Sequence, residues 1–162
     1  MAADTFPKLL DRNAQQRGRR PAIREKYLGI WQTFTWRETR DAVEVIAHGL
    51  AATGVSRGDR VAIIGDNRPY LYWSMVAAQA LGAIPVPMYQ DSGAKELSFV
   101  LKHAEVSYAV VENQEQVDKL LEVKDQTPGL EAIVYCDPRG LRDYKQPFLH
   151  SMDALKEMGA AH

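Results

Sequence analysis

The chain has 162 residues, of which 46% are hydrophobic and 25% are charged, and these proportions are ordinary for one globular domain. Its formal net charge of −1 gives no electrostatic reason to expect a nucleic-acid partner. A single cysteine, Cys136, excludes an internal disulfide and favours a reducing compartment, so we expect a cytoplasmic location. No stretch provides the ~20 apolar residues of a membrane span. Peripheral association with the inner face of a membrane is left open.

Residues 5–53 predict a helix, a hairpin and a second helix. Two alternating segments around Leu28 and Gly29 indicate a small antiparallel hairpin. Thr35 and Glu38 have the spacing of a capping box at the start of the second helix. Apolar residues at helical spacing mark the first helix: Phe6, Leu9, Leu10 and Ala14.

A basic cluster lies between that first helix and the hairpin. With no Gly-rich loop or interleaved aromatic residue, we interpret it as a solvated surface rather than an anion site. Its members are Arg17, Arg19, Arg20, Arg24 and Lys26.

Residues 58–136 predict repeated strand–helix units. The β-branched run that starts at Val61 indicates a strand, Pro69 suits the first turn of a helix, and Gly82 ends that helix before a second strand. Two short strands joined by a helix form a βαβ unit with parallel strands. Pro85 and Pro87 cannot donate to a strand ladder, so we expect the pairing of the second strand either to end there or to lie at a sheet edge.

The pattern then repeats, with strand starts spaced by about 23 to 25 residues, the length of one strand, one helix and short loops. We therefore predict an α/β fold: a mostly parallel sheet with flanking helices, plus the N-terminal hairpin. Residues 137–162 predict a surface loop and a short helix capped by Ser151. The four strand starts lie near Val61, Ile84, Ser107 and Ala132.

Polar residues follow each predicted parallel strand, where ligands bind in open α/β sheets. The same residue types also serve as helix caps and turn formers, so both interpretations stand. No dinucleotide, P-loop or nucleophile-elbow motif is present, and no pair of histidines has ligand spacing. We predict no catalytic residue and no metal ligand. The strand-end groups are Gly65-Asp66-Asn67, Tyr89-Gln90-Asp91-Ser92, Glu112-Asn113 and Asp137.

Four segments in order resemble the N-terminal part of the AMP-forming acyl-CoA synthetases, most closely the bacterial long-chain fatty acid–CoA ligases. No single segment is diagnostic, but their order and spacing are specific. They are PAIREKYLGIWQTFTWRE (21–38), GLAATGVSRGDRVAIIGDNRPYLYWSMVAAQALGAIPVPMYQDS (49–92), KELSFVLKHAEVSYAVVENQEQVDKLLEV (95–123) and IVYCDPRGLRDY (133–144).

The resemblance implies a two-step reaction with fatty acid, ATP and CoA as substrates and Mg²⁺ accompanying ATP. The fatty carboxylate attacks the α-phosphate of ATP to give acyl-adenylate and pyrophosphate, and the CoA thiol then displaces AMP. The family's phosphate loop, its adenylate-binding motifs and its C-terminal lysine are absent from this sequence. We therefore expect one incomplete N-terminal subdomain that is inactive alone and binds none of these ligands tightly. A homodimer is left open.

The resemblance also implies that part of the acyl and CoA contacts lies in this region of the family. On that basis we expect the loop formed by Tyr89, Gln90, Asp91 and Ser92 to contact CoA or the acyl chain. Two alternatives remain: an adenylate-forming acid–thiol ligase of different acyl specificity, and a non-catalytic flavodoxin-like binding module.

Overall fold

The first third of the chain folds as a helix, a hairpin and a second helix, as predicted. The structure is a computed structural model that describes residues 4–161. At the hairpin turn, Leu28 and Gly29 have φ angles of 47° and 81°, the signs of a type I′ turn that matches the twist of its strands. The four elements are α1 (Phe6–Arg17), β1 (Pro21–Tyr27), β2 (Ile30–Thr35) and α2 (Trp36–Ala52).

The capping box at the start of α2 is confirmed. The Glu38 N–H donates to Thr35 Oγ1 at 3.3 Å, and the Thr35 N–H donates to the Glu38 carboxylate at 2.7 Å. The hydrogen bonds from the Thr35 backbone and side chain lower the pKa of the Glu38 carboxyl. The start of α2 is therefore fixed by two residues that are only three positions apart.

The rest of the chain alternates strand and helix around one parallel sheet, which confirms the predicted fold class. The strand order is β4-β3-β5-β6-β7 and all four pairings are parallel. The elements are β3 (Arg60–Ile64), α3 (Pro69–Ala80), β4 (Ile84–Met88), α4 (Ala94–His103), β5 (Tyr108–Val111), α5 (Gln114–Glu122), a 3₁₀ turn (Lys124–Gln126), β6 (Ala132–Tyr135), β7 (Leu149–Ser151) and α6 (Met152–Ala161).

The segment 137–162, expected to hold a loop and one short helix, also contains the strand β7. Its three residues are too few for an alternating pattern, and their extended conformation comes from pairing with β6. The predicted cap of the last helix is present, because the Ala154 N–H donates to Ser151 Oγ at 3.1 Å.

The prolines of β4 place that strand at the sheet edge, which is one of the two outcomes predicted for them. The Ile84 N–H donates to the Asp59 carbonyl at 2.8 Å, on the side of β3. Backbone N atoms point alternately to the two sides of a strand, so those of Pro85 and Pro87 point away from β3. Within the described part of the chain no strand pairs on that side, and no N–H is needed there.

The sheet is covered on both faces. Val61 and Ile63 of β3 pack with α2, α3 and α6 on one face, and Ala62 and Ile64 pack with α4 and α5 on the other. Every residue of β5 is buried. The continuous apolar strands thus form the middle layer of a three-layer α/β arrangement.

Two glycines allow α2 and α6 to cross at backbone distance. A Cβ added at Gly159 would lie 2.5 Å from the Val45 carbonyl oxygen, and one added at Gly49 would collide with the Leu155 backbone. Both positions lie in the interface between the two helices, where there is no room for a methyl group.

We predict that Gly49→Ala lowers the free energy of unfolding by about 1–3 kcal/mol, because α6 must move away from α2. Chemical denaturation measures the change. Gly129→Ala is the matched control, since a Cβ there meets nothing within 4 Å, and its stability should equal or slightly exceed that of the wild type. Equal stability of the two variants would contradict the close helix crossing.

We predict that Thr35→Ala lowers the free energy of unfolding by about 1 kcal/mol at neutral pH. The pKa of Glu38 is depressed in the fold, so its contribution is present above about pH 4.3 and is lost as the pH falls further. Denaturation of both proteins over this pH range should show the difference shrinking toward acid. A difference that grows toward acid would contradict the capping role.

Candidate functional site

A cleft of about 510 Å³ opens at the carboxyl ends of β3 and β4. From β3 the chain crosses to β4 on one side and then to β5 on the other, so this end of the sheet is a topological switch point. Leu71 and Met75 of α3 supply apolar lining, and the loops after the two strands supply polar lining. The location and size are those of a small-molecule site.

Three of the four residues predicted to contact a ligand lie in this cleft. Tyr89, Gln90 and Asp91 line it, together with Asp66 from the loop after β3. The Tyr89 residue is 84% exposed. Ser92 does not line the cleft. Its N–H donates to the Tyr89 carbonyl at 3.3 Å, which closes a turn.

The centre of the surrounding polar network is Glu112, which follows β5 and is buried. One carboxylate oxygen accepts the Asp66 N–H at 2.6 Å, and the other accepts Arg68 Nε at 2.8 Å. The hydrogen bond to Glu112 raises the pKa of the Arg68 guanidinium. Charge-assisted hydrogen bonds of this kind fix both partners firmly.

The network extends outward from Glu112 in two directions. Arg68 lies 3.6 Å from the Glu25 carboxylate of β1, which joins the sheet to the hairpin. On the other side, Gln90 donates to the Asp66 carboxylate at 2.7 Å, and Lys119 of α5 donates to the Gln90 carbonyl at 2.6 Å. The loop that carries Tyr89 is therefore held in place by the loop after β3 and by α5, in addition to its own strand β4.

The remaining strand-end groups act as caps and turn formers. Asn113 accepts the Gln116 N–H at 3.4 Å at the start of α5. Asp137 accepts hydrogen bonds from the Arg139 side chain and backbone, and the side-chain bond does most to lower the pKa of its carboxyl. The Asn113 amide oxygen and the Asp137 carboxylate are thus occupied by neighbouring donors, and the geometry favours a structural role for both residues.

Cys136 is poorly suited to nucleophilic chemistry. Burial raises the pKa of its thiol to about 12, and the thiolate is the reactive form. His48 on α2 is exposed. Across residues 4–161, no three His, Cys, Asp or Glu side chains are grouped to hold a metal ion.

Arg68 and Lys119 are the site residues that sequence reasoning missed. Arg68 meets Glu112 across 44 positions of sequence, and Lys119 meets the Gln90 carbonyl across 29. The only local signal is that Arg68 precedes Pro69, which favours an extended backbone there. That signal indicates the start of a helix and says nothing about the partner.

The comparisons with known proteins agree with this architecture. The profile of the family described as AMP-binding enzyme matches residues 10–153. The chain is 28% identical over 156 residues to the long-chain-fatty-acid–CoA ligase ACSBG2 of Xenopus laevis, covering 96% of this chain and 21% of that protein. It is 34% identical over 105 residues to the long chain acyl-CoA synthetase 3 of Arabidopsis thaliana, covering 65% of this chain and 16% of that protein.

The fold has close counterparts among solved structures. The crystal structure of coronafacic acid ligase from Pectobacterium brasiliense superimposes with a TM-score of 0.82 at 18% identity, over 93% of this chain and 29% of that one. At this identity the likeness concerns the fold. The chain spans about a fifth of the length of the curated relatives it matches. Within residues 4–161, none of the helices has the length and hydropathy to cross a membrane.

We predict that Glu112→Gln lowers the free energy of unfolding by about 1–3 kcal/mol, because a buried acceptor of two hydrogen bonds loses its charge and places an amide against a donor. Glu105→Gln is the matched control. Glu105 pairs with Arg60 but its side chain is 78% exposed, so its loss should cost about 0–1 kcal/mol. Denaturation curves that shift equally for both variants would show that Glu112 does not organise the network.

Proposed function

Because the chain belongs to the AMP-binding enzyme family, we propose that it forms the N-terminal part of a longer long-chain fatty acid–CoA ligase. The complete enzyme would join a fatty acid to ATP to give acyl-adenylate and pyrophosphate, and would then transfer the acyl group to the thiol of CoA with release of AMP. Such an enzyme acts on soluble nucleotides, which agrees with a cytoplasmic location.

The observation that carries this proposal is the agreement among relatives. Proteins named as long-chain ligases or long chain acyl-CoA synthetases match this chain in a vertebrate, a plant and a mycobacterium, at 28–34% identity. A long-chain fatty acid is therefore the substrate class that we infer.

ATP and Mg²⁺ do not fit the residues described. Residues 4–161 hold no cluster of carboxylates for a metal ion, and the loop after β3 has no glycine spacing for phosphates. The carboxylates at the sheet edge are occupied by Arg68, Gln90 and Arg139. We assign no chemical step to this chain's side chains and infer that the phosphate-binding groups belong to other parts of the enzyme.

The role that fits this chain is to shape one wall of a substrate site. Tyr89 presents an exposed ring beside the apolar surface of Leu71 and Met75. Gln90 is fixed by Asp66 and Lys119, so the loop needs little ordering when a ligand arrives. We infer that the loop from Tyr89 to Ser92 contacts CoA or the acyl chain.

We predict that the 162-residue chain alone shows no fatty-acid-dependent formation of AMP or pyrophosphate, because it provides no phosphate-binding groups. A full-length long-chain ligase assayed in parallel is the positive control. Turnover by the isolated chain that depends on both fatty acid and CoA would contradict the fragment proposal. A panel of acids tested with the longer enzyme checks the acyl specificity, and turnover with short or aromatic acids in place of long-chain fatty acids would contradict it.

We predict that Tyr89→Ala in the longer enzyme raises the KM for CoA or for the fatty acid by about tenfold, because an aromatic contact is lost. Fatty-acid-dependent ATP–pyrophosphate exchange, which needs no CoA, separates the two contacts. An unchanged exchange rate assigns Tyr89 to CoA, and a reduced one assigns it to the acyl chain. Phe99→Ala is the control, an exposed aromatic residue outside the cleft. Equal kinetics for both variants would exclude the loop from the site.

A further inference from the structure

The tip of the hairpin presents a cluster of large apolar side chains to solvent. Leu28 is 80% exposed, Ile30 65% and Trp31 57%. Tyr27, at 46%, completes the cluster. Four adjacent apolar residues on one protruding turn form a patch, and patches of this kind on a surface mark contact sites.

The backbone conformation at the tip is unfavourable for an apolar residue as well. Leu28 has a φ of 47°, in the left-handed region that type I′ turns usually fill with Asn, Asp or Gly. Leu28 is therefore unfavourable at this position for two reasons: its apolar side chain is exposed to water, and its backbone is in the left-handed region. Local strain that persists in this way is a reason to look for a function of the side chain.

The outward face of the hairpin is basic around its tryptophan. Lys26 lies directly opposite Trp31 in the strand register, and the Arg24 guanidinium lies over the Trp31 ring at 5.0 Å. The one carboxylate of β1, on Glu25, points to the other face and lies near Arg68. Tryptophan and tyrosine beside cations are typical of groups placed at the boundary between lipid headgroups and acyl chains.

From these observations we propose that the hairpin tip docks onto an anionic lipid surface. Leu28 and Ile30 would enter the acyl boundary, and Trp31 would lie at headgroup depth. Arg24 and Lys26 would contact lipid phosphates, in place of the solvated role that the sequence pattern favoured, because the fold brings Trp31 beside them. Cations beside exposed apolar side chains complement both the negative charge and the acyl boundary of an anionic lipid surface. Docking of this kind holds whether or not the chain acts on fatty acids.

The test uses the 162-residue chain with vesicles made of equal parts phosphatidylcholine and phosphatidylglycerol. Trp73 is buried and Trp36 is half-buried, so a blue shift of tryptophan emission on binding should come mainly from Trp31. Acyl-brominated phosphatidylcholine should quench that emission. Trp31→Phe should keep most of the binding in co-sedimentation and lose most of the spectral shift.

Leu28→Asn separates docking from folding, because asparagine tolerates the left-handed turn and the variant should fold at least as stably as the wild type. We expect its vesicle affinity to fall by about tenfold or more. Arg24→Gln and Lys26→Gln should each weaken binding to the anionic vesicles by about fivefold and leave binding to pure phosphatidylcholine unchanged. Raising the salt concentration should reproduce the loss.

Phe99→Asn is the control, since Phe99 is 67% exposed on α4 and lies outside the hairpin. Its vesicle affinity should equal that of the wild type. Wild-type affinity of Leu28→Asn, absence of quenching by brominated lipid, or no vesicle binding at all would overturn the proposal. Concentration-dependent self-association that Leu28→Asn abolishes would overturn it as well, because the tip would then serve a second copy of the chain.

Discussion

One buried carboxylate, that of Glu112, sets the arrangement of the carboxyl edge of the sheet. It lies at the end of β5 and receives the backbone N–H of Asp66 and the guanidinium of Arg68. Gly65 makes this approach possible, since a Cβ there would lie 2.5 Å from the Glu112 Cβ and the residue has a φ of 151°. A buried charge of this kind is tolerated because it is paired with Arg68 and because each of its oxygens accepts a hydrogen bond. The hairpin and the loop at Tyr89 are both positioned through its partners.

The features that were predicted correctly are those that depend on residues close together in the chain. Helical spacing located α1, the pair Thr35 and Glu38 located the start of α2, and Pro85 and Pro87 placed β4 at an edge. Each of these signals acts over a few residues, through backbone geometry or a local hydrogen bond.

What the sequence did not predict is decided by distant neighbours. Leu149 to Ser151 become a strand only because β6 offers an edge to pair with. Arg68 finds Glu112 because two strand ends meet at a switch point. The same limit applies to the candidate site, where three of the four predicted loop residues line the cleft and Ser92 does not. Neither composition nor periodicity carries information on such pairings.

The outward-facing prolines of β4 make the two borders of the sheet unequal. The β4 border lacks outward N–H donors at Pro85 and Pro87, so it offers few hydrogen bonds to a strand of another chain. The opposite border is β7, which contains no proline and keeps its outward donors. Intermolecular strand pairing is therefore disfavoured at β4, and β7 is the border at which another strand can be added.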